Sequence, residues 1–287
     1  MPPISTTPPI QTRRMSFAES LRQVPRHFGP DEDLLSSHLT ACLSAVFPDG
    51  EDFFVRSVRH FRGDITDPVL KQQVSGFIGQ EAVHGHEHRT FNRHLSQLGY
   101  PTRFIERLTD WLLTRADIVL PPKARLAATA ALEHYTATLA EQLLRDEDTR
   151  AMFGHENVRD LFQWHALEEA EHKTVAFDVY RAVGGTERMR RVVMNAITVG
   201  FVGGIALAVS FSLLGDRAAY NPRRLARSLR RLLRSPIVSR ELWRELRRYN
   251  EPGFHPSDRD ASDLLTTWRE ELFGANGALN DRLAGVA

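Results

Sequence analysis

In the stretch GQEAVHGHEHRTFN, residues 79–92, Glu81 lies three residues before His84. The same spacing recurs at Glu169 and His172. Residues three apart on a helix lie on the same face, so each pair presents a carboxylate and an imidazole in one direction. Two such pairs are typical of four-helix bundles that hold two metal ions between their helices.

A lone acid lies upstream of each pair, on a helical stretch of its own. Glu51 shares an apolar stripe with Phe54 and Val58, and Glu133 lies in a stripe of small residues. His165 precedes Glu169 by one turn. The predicted metal ligands are Glu51, Glu81, His84, Glu133, His165, Glu169 and His172. A buried set of acids and imidazoles needs a metal or a pairing network to offset the cost of burial.

Other polar side chains near these positions have less defined roles. His165 is interpreted either as a ligand or as a residue that supports one. His88 and Glu168 are candidates for the shell of groups around the ligands, and His86 and His134 are assigned to that shell or to the surface. Gln80 and Tyr135 adjoin ligands in sequence but are predicted to point elsewhere.

The chain is predicted to be all-α, with little strand-like alternation. Pro48 and Gly50 are expected to break one helix and start another. The helix over 102–118 carries no candidate ligand and is predicted to be the crossover connection of the bundle. Residues 146–157 are assigned to a loop. The predicted helices span 33–46, 49–62, 68–98, 102–118, 123–144 and 158–183.

Residues 192–215 form an uncharged segment of 24 residues, and arginines flank it on both sides. Its length fits a transmembrane helix. A buried helix and a membrane-facing hairpin are the alternatives. The Arg-rich stretch 223–248 fits either a helix on an anionic membrane surface or a solvated helix.

The domain organisation is predicted from these segments. We expect a tail and lead-in, the metal-binding bundle, the apolar and Arg-rich extension, and a C-terminal helix or tail. Their bounds are 1–30, 31–185, 186–255 and 256–287.

Composition limits the function. The chain has 287 residues, net charge +1 and one cysteine, Cys42, which excludes an internal disulfide framework and Cys-based metal clusters. The N-terminus lacks the apolar core of a secretory signal, and the part up to about Gln11 is predicted to be disordered. We expect a cytoplasmic protein, or one at the inner face of the membrane. No nucleophile elbow is present, and the arginines lack the aromatic interleaving of nucleic-acid-binding proteins.

Several motifs resemble a bacterial family described as predicted metal-dependent hydrolases. They are FPDGEDFFVRSVRHF (47–61), GQEAVHGHEHRTFN (79–92), ALEHYTA (131–137), WHALEEAEHKTVAFDVY (164–180) and PGFHP (252–256). The order of the ligands also resembles that of di-iron N-oxygenases of the p-aminobenzoate type. Together these resemblances imply a ferritin-like bundle with a dinuclear site, an extra crossover helix and a C-terminal helical extension.

Three functions are compatible with this pattern. The first is an O2-activating di-iron oxygenase or oxidase that needs an external electron donor and acts on a small, lipophilic substrate. The second is a hydrolase that uses the same two ions. The third is a non-catalytic, membrane-associated bundle that binds metal. Ligands without sulfur favour iron, with manganese or zinc as alternatives. A homodimer is compatible with the sequence, and a nucleic-acid partner is not expected.

Overall fold

The computed structural model describes residues 10–284, and within that range the chain is all-α, apart from a single bridge between Met15 and Leu283. The α-helices are α1 (Ala18–Leu21), α2 (Leu34–His60), α3 (Pro68–Gln97), α4 (Thr102–Val119), α5 (Pro122–Arg145), α6 (Glu147–Ala151), α7 (Glu156–His172), α8 (Val175–Ala182), α9 (Glu187–Leu214), α10 (Pro222–Arg234), α11 (Arg240–Arg248) and α12 (Ser262–Phe273). The predicted fold class is therefore confirmed.

Four helices form the bundle. α2 packs against α3 and α5, and α7 packs against the same two helices. Phe53, Phe77 and Leu126 belong to one apolar core, whereas Phe91 and Leu143 belong to a second core further along the helices. The predicted ligand positions of α2, α3 and α5 fall between these two cores. The layer formed by these polar side chains therefore lies in the middle of the bundle, and an apolar core lies on each side of it.

α2 is one continuous helix, so the predicted break at Pro48 and Gly50 is wrong. Proline has no N–H to donate to the carbonyl four residues earlier, which is that of Ser44. Asn92 of α3 supplies the missing donor, and its side-chain nitrogen lies 3.0 Å from the Ser44 carbonyl oxygen. A neighbouring helix thus satisfies the group that proline leaves unpaired.

Two further predictions of local structure are wrong. The helix predicted over 158–183 is divided into α7 and α8 by a turn at Lys173 and Thr174. The Lys173 ammonium group is held by Glu141 and by the carbonyl of Arg259, which fixes the chain at this turn. The loop predicted over 146–157 contains the short helix α6. Asp146 caps the N-terminus of this helix, because its side chain accepts a hydrogen bond from the N–H of Thr149.

The predicted disordered tail is only partly within the described residues. Residues 1–9 lie outside them. Ile10 packs against the first core, and the Gln11 carbonyl accepts a hydrogen bond from Gln80. The prediction is therefore wrong for Ile10 and Gln11.

α4 connects α3 to α5 and packs on the outside of α2 and α3, as predicted for the crossover. One of its faces is apolar and open to solvent. Phe104, Leu108, Trp111 and Leu112 recur at helical spacing and are each between 44% and 54% exposed. Apolar side chains at i, i+4, i+7 and i+8 normally face a protein core. Here the described part of the chain leaves about half of each side chain exposed.

α9 carries the uncharged segment and is a single helix, so the hairpin alternative is wrong. It packs on α2 and α5, yet only 6% of its most apolar 18-residue window is buried, so the buried-helix alternative is wrong as well. The helix is long and apolar enough to cross a membrane by length and composition. Phe211 of α9 contacts Phe104 of α4, with ring centroids 5.1 Å apart, so the exposed apolar faces of these two helices are continuous.

Candidate metal centre

All seven predicted ligands are buried and lie close together in the middle of the bundle. α2 contributes Glu51, and α5 contributes Glu133. The paired residues of α3 and α7 face them, as the helical spacing predicts. The side chains fall into two groups, one around His172 and one around His165, with Glu169 between them.

The first group consists of Glu81, Glu133 and His172. The Nε2 atom of His172 lies 3.0 Å from Oε1 of Glu81 and 3.3 Å from Oε2 of Glu133. Three helices thus direct one nitrogen and two carboxylate groups to the same point. Nitrogen and oxygen donors of this kind are common ligands of divalent metal ions.

The second group consists of Glu51, His84 and His165. The Nε2 atom of His165 lies 3.8 Å from Oε1 of Glu51. Glu169 lies between the two groups, since its Oε1 atom is 3.0 Å from Nε2 of His165 and 3.6 Å from Nε2 of His172. Glu81, His84 and Glu169 form a third set of converging atoms. The arrangement therefore has two ends and a shared middle.

Many of these buried polar atoms have no hydrogen-bond partner. Both carboxylate oxygens of Glu51, Glu81 and Glu133 are unpartnered, as are Nδ1 of His84 and Nε2 of His172. The approach of His172 to Glu81 is short but lacks hydrogen-bond geometry. Leaving buried polar groups unpaired is costly, so such groups in a native protein require an explanation. A donor set of this composition fits bound cations.

The electrostatics of the cluster agree with this interpretation. Burial raises the pKa of Glu51 and Glu81 well above its usual range, and neighbouring carboxylates raise it further. Burial also raises the pKa of Glu133 to about 7. For Glu169, burial acts in the same direction, but His172 and His165 outweigh it and hold its pKa well below the usual value. Desolvation lowers the pKa of His84 well below its usual value.

Each histidine of the cluster is fixed through its second ring nitrogen. Nδ1 of His165 lies 2.7 Å from Nε2 of His88, and Nδ1 of His88 lies 2.9 Å from the Ser44 hydroxyl. His88 therefore orients His165 and does not itself reach the centre. The hydroxyl of Ser44 in turn donates to Oδ1 of the Asn92 side chain. The chain of contacts therefore reaches the residue that supplies the hydrogen bond missing at Pro48.

His84 is fixed by Glu168, the other residue that the sequence places around the ligands. Nε2 of His84 lies 3.1 Å from Oε2 of Glu168, and Oε1 of Glu168 accepts from Arg13 at 3.0 Å. Burial raises the pKa of Glu168 to about 8, although Arg13 opposes this. Arg13 also pairs with Glu171. Sequence reasoning missed Arg13, which lies far from the ligands along the chain and in no helix.

Gln80 contradicts its prediction. Its Oε1 atom lies 2.9 Å from Nδ1 of His172, so its side chain contacts a residue of the cluster. Its amide nitrogen donates to Glu171. A metal-binding histidine commonly uses its second nitrogen in such a contact, and this requirement was the signal that could have found Gln80. Tyr135 does point away, with its hydroxyl donating to Thr198.

The two remaining histidines lie apart from the centre. His86 is exposed, as predicted. His134 is buried against the rings of Tyr249 and Phe254, so it belongs neither to the surface nor to the surroundings of the ligands. Burial lowers its pKa to about 4, which keeps it neutral within this aromatic cluster.

An apolar cavity of about 100 Å³ reaches the cluster from one side. Its ionisable lining residues are His165 and Glu169. Side chains of α2, α5, α7 and α9 form most of its walls, and they include Leu43, Phe47, Leu139, Leu143, Phe162 and Phe201. Small-molecule sites are commonly apolar cavities with a few polar groups at one end. The cavity is therefore the candidate binding site for a substrate.

The model of a family described as predicted metal-dependent hydrolase matches residues 11–260. The chain belongs to this family. The matched range includes all seven clustered residues, together with Arg13 and Gln80. No curated protein and no solved structure matches the chain. A metal-dependent enzyme of this family is thus supported both by its sequence and by the buried His and Glu clusters.

Proposed function

We propose that the protein is a hydrolase that uses two metal ions held by the seven clustered residues. The single observation that carries this proposal is the position of Glu169, whose Oε1 atom faces both His165 and His172. One ion would be held by Glu81, Glu133 and His172, and the other by the group around Glu51. Two bound ions would supply a hydroxide nucleophile at neutral pH and stabilise the developing negative charge.

The protein's own residues would bind and orient the substrate. Phe47, Leu139 and Phe162 would hold an apolar portion of it in the cavity, next to Glu169. This apolar wall would also limit the access of bulk water. The hydrogen bonds that join His165 to His88 and His84 to Glu168 would keep both rings in position. An ester or amide with an apolar acyl group fits this arrangement.

An O2-activating oxygenase or oxidase is the second candidate. The observation that favours it is the ligand set itself, with four carboxylates and three imidazoles around an apolar cavity and no sulfur ligand. Such a set suits iron. A reduced pair of irons would supply electrons to O2, and an external donor would have to restore them.

The two candidates differ in their need for oxygen. Purified protein loaded with zinc, manganese or iron would be assayed under nitrogen and in air, with p-nitrophenyl esters of increasing acyl length. We expect ester cleavage under nitrogen and its loss in Glu133→Gln, while Glu156→Gln, an exposed acid at the start of α7, keeps full activity. Turnover that appears only with iron, a reductant and O2 would reject hydrolysis in favour of the oxygenase.

The exposed apolar face of α4 and α9 would attach the enzyme to an anionic membrane. Exposed arginines accompany this face. Arg107 and Arg115 lie one turn to either side of Trp111 on α4, Arg188 lies near the start of α9, and Arg217 follows the end of α9. These charges complement anionic lipid, whereas a second copy of the chain would bring like charges together. Apolar faces bordered by basic residues are typical of helices that lie in the membrane interface.

α9 would lie along the membrane surface and not cross it. Met194 near its start and Ser212 near its end are both buried against the rest of the protein. The Ser212 hydroxyl is hydrogen-bonded to His38 of α2 at 2.7 Å. Because α9 is held to the bundle along its length, it cannot span the bilayer unless the polar bundle enters with it.

A further inference from the structure

We propose that the substrate is an amphiphile with an anionic head, and that arginines of α10 bind this head beside the apolar cavity. This inference rests on the proposed function, because the same substrate would extend from the arginines towards the metal centre. The head would be a carboxylate or a phosphate.

A surface depression of about 550 Å³ carries the inference. Four arginines of one helix line it, on residues spaced so that they share one side of α10. They are Arg227, Arg230, Arg231 and Arg234. Asp148 is the acid that lines the same depression. Four guanidinium groups against one carboxylate leave a net positive charge there.

Among residues 10–284, three of these arginines have no partner of opposite charge. Arg231 pairs with Asp31 at 2.7 Å and donates to the carbonyl of Pro30. In the part of the chain that the structure describes, Arg227, Arg230 and Arg234 make no side-chain hydrogen bond or ion pair. Guanidinium groups that line one depression repel one another, and an anion bound among them would reduce that repulsion. Their planar donor arrangement matches a carboxylate or a phosphate.

The depression and the apolar cavity share a wall. Met152 lines both of them. Pro236 lines the depression, and the next residue, Ile237, lines the cavity. An anion at the arginines would therefore lie next to the cavity that His165 and Glu169 also line. A molecule that reaches both places needs a charged head and an apolar tail.

The test compares the affinities of ligands of equal chain length, measured by calorimetry on the metal-loaded protein. Each ligand is kept below the concentration at which it aggregates. We expect dodecanoate and dodecyl phosphate to bind at least tenfold more tightly than dodecanol. The triple variant Arg227→Gln, Arg230→Gln, Arg234→Gln should lose this preference and keep its affinity for dodecanol. A matched control replaces Arg240, Arg244 and Arg247, which are exposed on α11 outside the depression, and should bind as the wild type does.

Three outcomes would overturn the proposal. One is equal binding of dodecanoate and dodecanol by the wild type. Another is a triple variant that still prefers the anion. The third is an arginine dependence seen with phosphatidylglycerol vesicles but not with the soluble amphiphiles, which would make the depression a membrane contact. Since binding is measured without turnover, a failure of the hydrolase proposal would not alter any of these results.

Discussion

The side chain of Asn92 donates a hydrogen bond to the backbone carbonyl of Ser44, which Pro48 leaves without a helical partner. The same side chain accepts from the Ser44 hydroxyl and donates to Glu106. The Ser44 hydroxyl also contacts His88, the residue that orients His165. The contact that keeps α2 continuous is thus linked to a histidine of the metal centre.

Replacing Asn92 with alanine should destabilise the protein by about 1–3 kcal/mol, because buried polar groups lose their partners. The loss should be smaller in a Pro48→Ala background, since alanine restores an N–H that can donate to Ser44. Chemical denaturation of the four proteins gives the coupling energy between Asn92 and Pro48.

Gly50→Ala provides the matched background for this cycle. A side chain at Gly50 meets no atom within 4 Å, so alanine there strengthens α2 without supplying the missing donor. Asn92→Ala should therefore cost the same with and without the Gly50→Ala substitution. If Asn92→Ala lowered the free energy of unfolding equally in the wild type and in the Pro48→Ala background, the Asn92 contact would not compensate for the proline.

The sequence predicted the elements whose ends are marked by proline or glycine. Thr102–Val119 and Pro122–Arg145 match their predicted bounds to within a residue. It failed at Pro48, because the compensating donor lies on another helix, and at Lys173, where no proline or glycine marks the turn. Helical spacing predicted the faces that carry the paired ligands, and the apolar and small-residue stripes indicated that Glu51 and Glu133 face inward.

The surroundings of the ligands were less accessible to sequence reasoning. His88 and Glu168 could be found because they share helices with the ligands. Arg13 could not be found, since its contact with Glu168 joins residues 155 positions apart. Gln80 was misplaced because a residue next to a ligand on a helix generally points in another direction, yet its long side chain reaches His172 from the neighbouring face.

We predict that each chain binds two metal ions. Mutations at the two ends of the cluster should affect the two ions separately. Glu133→Gln should reduce the content to about one ion, because Glu133 faces only the group around His172. Glu169→Gln should lower the affinity at both positions, since Glu169 faces both groups. Metal analysis together with native mass spectrometry measures the content directly.

Glu156→Gln serves as the control for these substitutions, because it lies on the same helix as Glu169 but is exposed. Circular dichroism should show unchanged helix content in each variant used. If folded Glu133→Gln retained two tightly bound ions, the assignment of Glu133 as a ligand would be wrong.

His38 should make the stability of the protein sensitive to mild acid. Burial lowers the pKa of His38 below its ordinary value of 6.5, although the adjacent Asp216 opposes this; His27 and Arg26 lower it further. The unfolded chain therefore takes up this proton at a higher pH than the folded chain, and acidification below about pH 6.5 favours unfolding. The stabilising contribution is complete above that pH.

His38→Gln removes this proton uptake. Between pH 6.5 and 5, the free energy of unfolding should fall less steeply than in the wild type, by at most about 1.4 kcal/mol per pH unit, the effect of one proton. Urea denaturation at several pH values measures the slope. His60→Gln, at an exposed position, should leave it unchanged. An unaltered slope in His38→Gln would assign the acid sensitivity to other groups.

The face formed by α4 and α9 should bind anionic vesicles. Leu108 and Trp111 lie on its α4 part and are 44% and 54% exposed. Burial of a large apolar side chain contributes roughly 1.5–3 kcal/mol, so replacing both with glutamine should weaken vesicle binding at least tenfold. Co-sedimentation with phosphatidylglycerol vesicles measures this, and vesicles of neutral lipid should bind more weakly because they lack the charge that attracts the bordering arginines.

Thr266→Gln on α12 controls for a change of surface away from this face, because Thr266 is exposed and lies outside α4 and α9. Light scattering distinguishes the membrane from a second copy of the chain as the partner. A wild-type dimer that the double variant converts to a monomer, without any binding to vesicles, would show that the apolar face joins two copies. Binding of the monomer to anionic vesicles would instead assign the exposed side chains of α4 and α9 to the lipid surface, where the arginines at their borders meet a complementary charge.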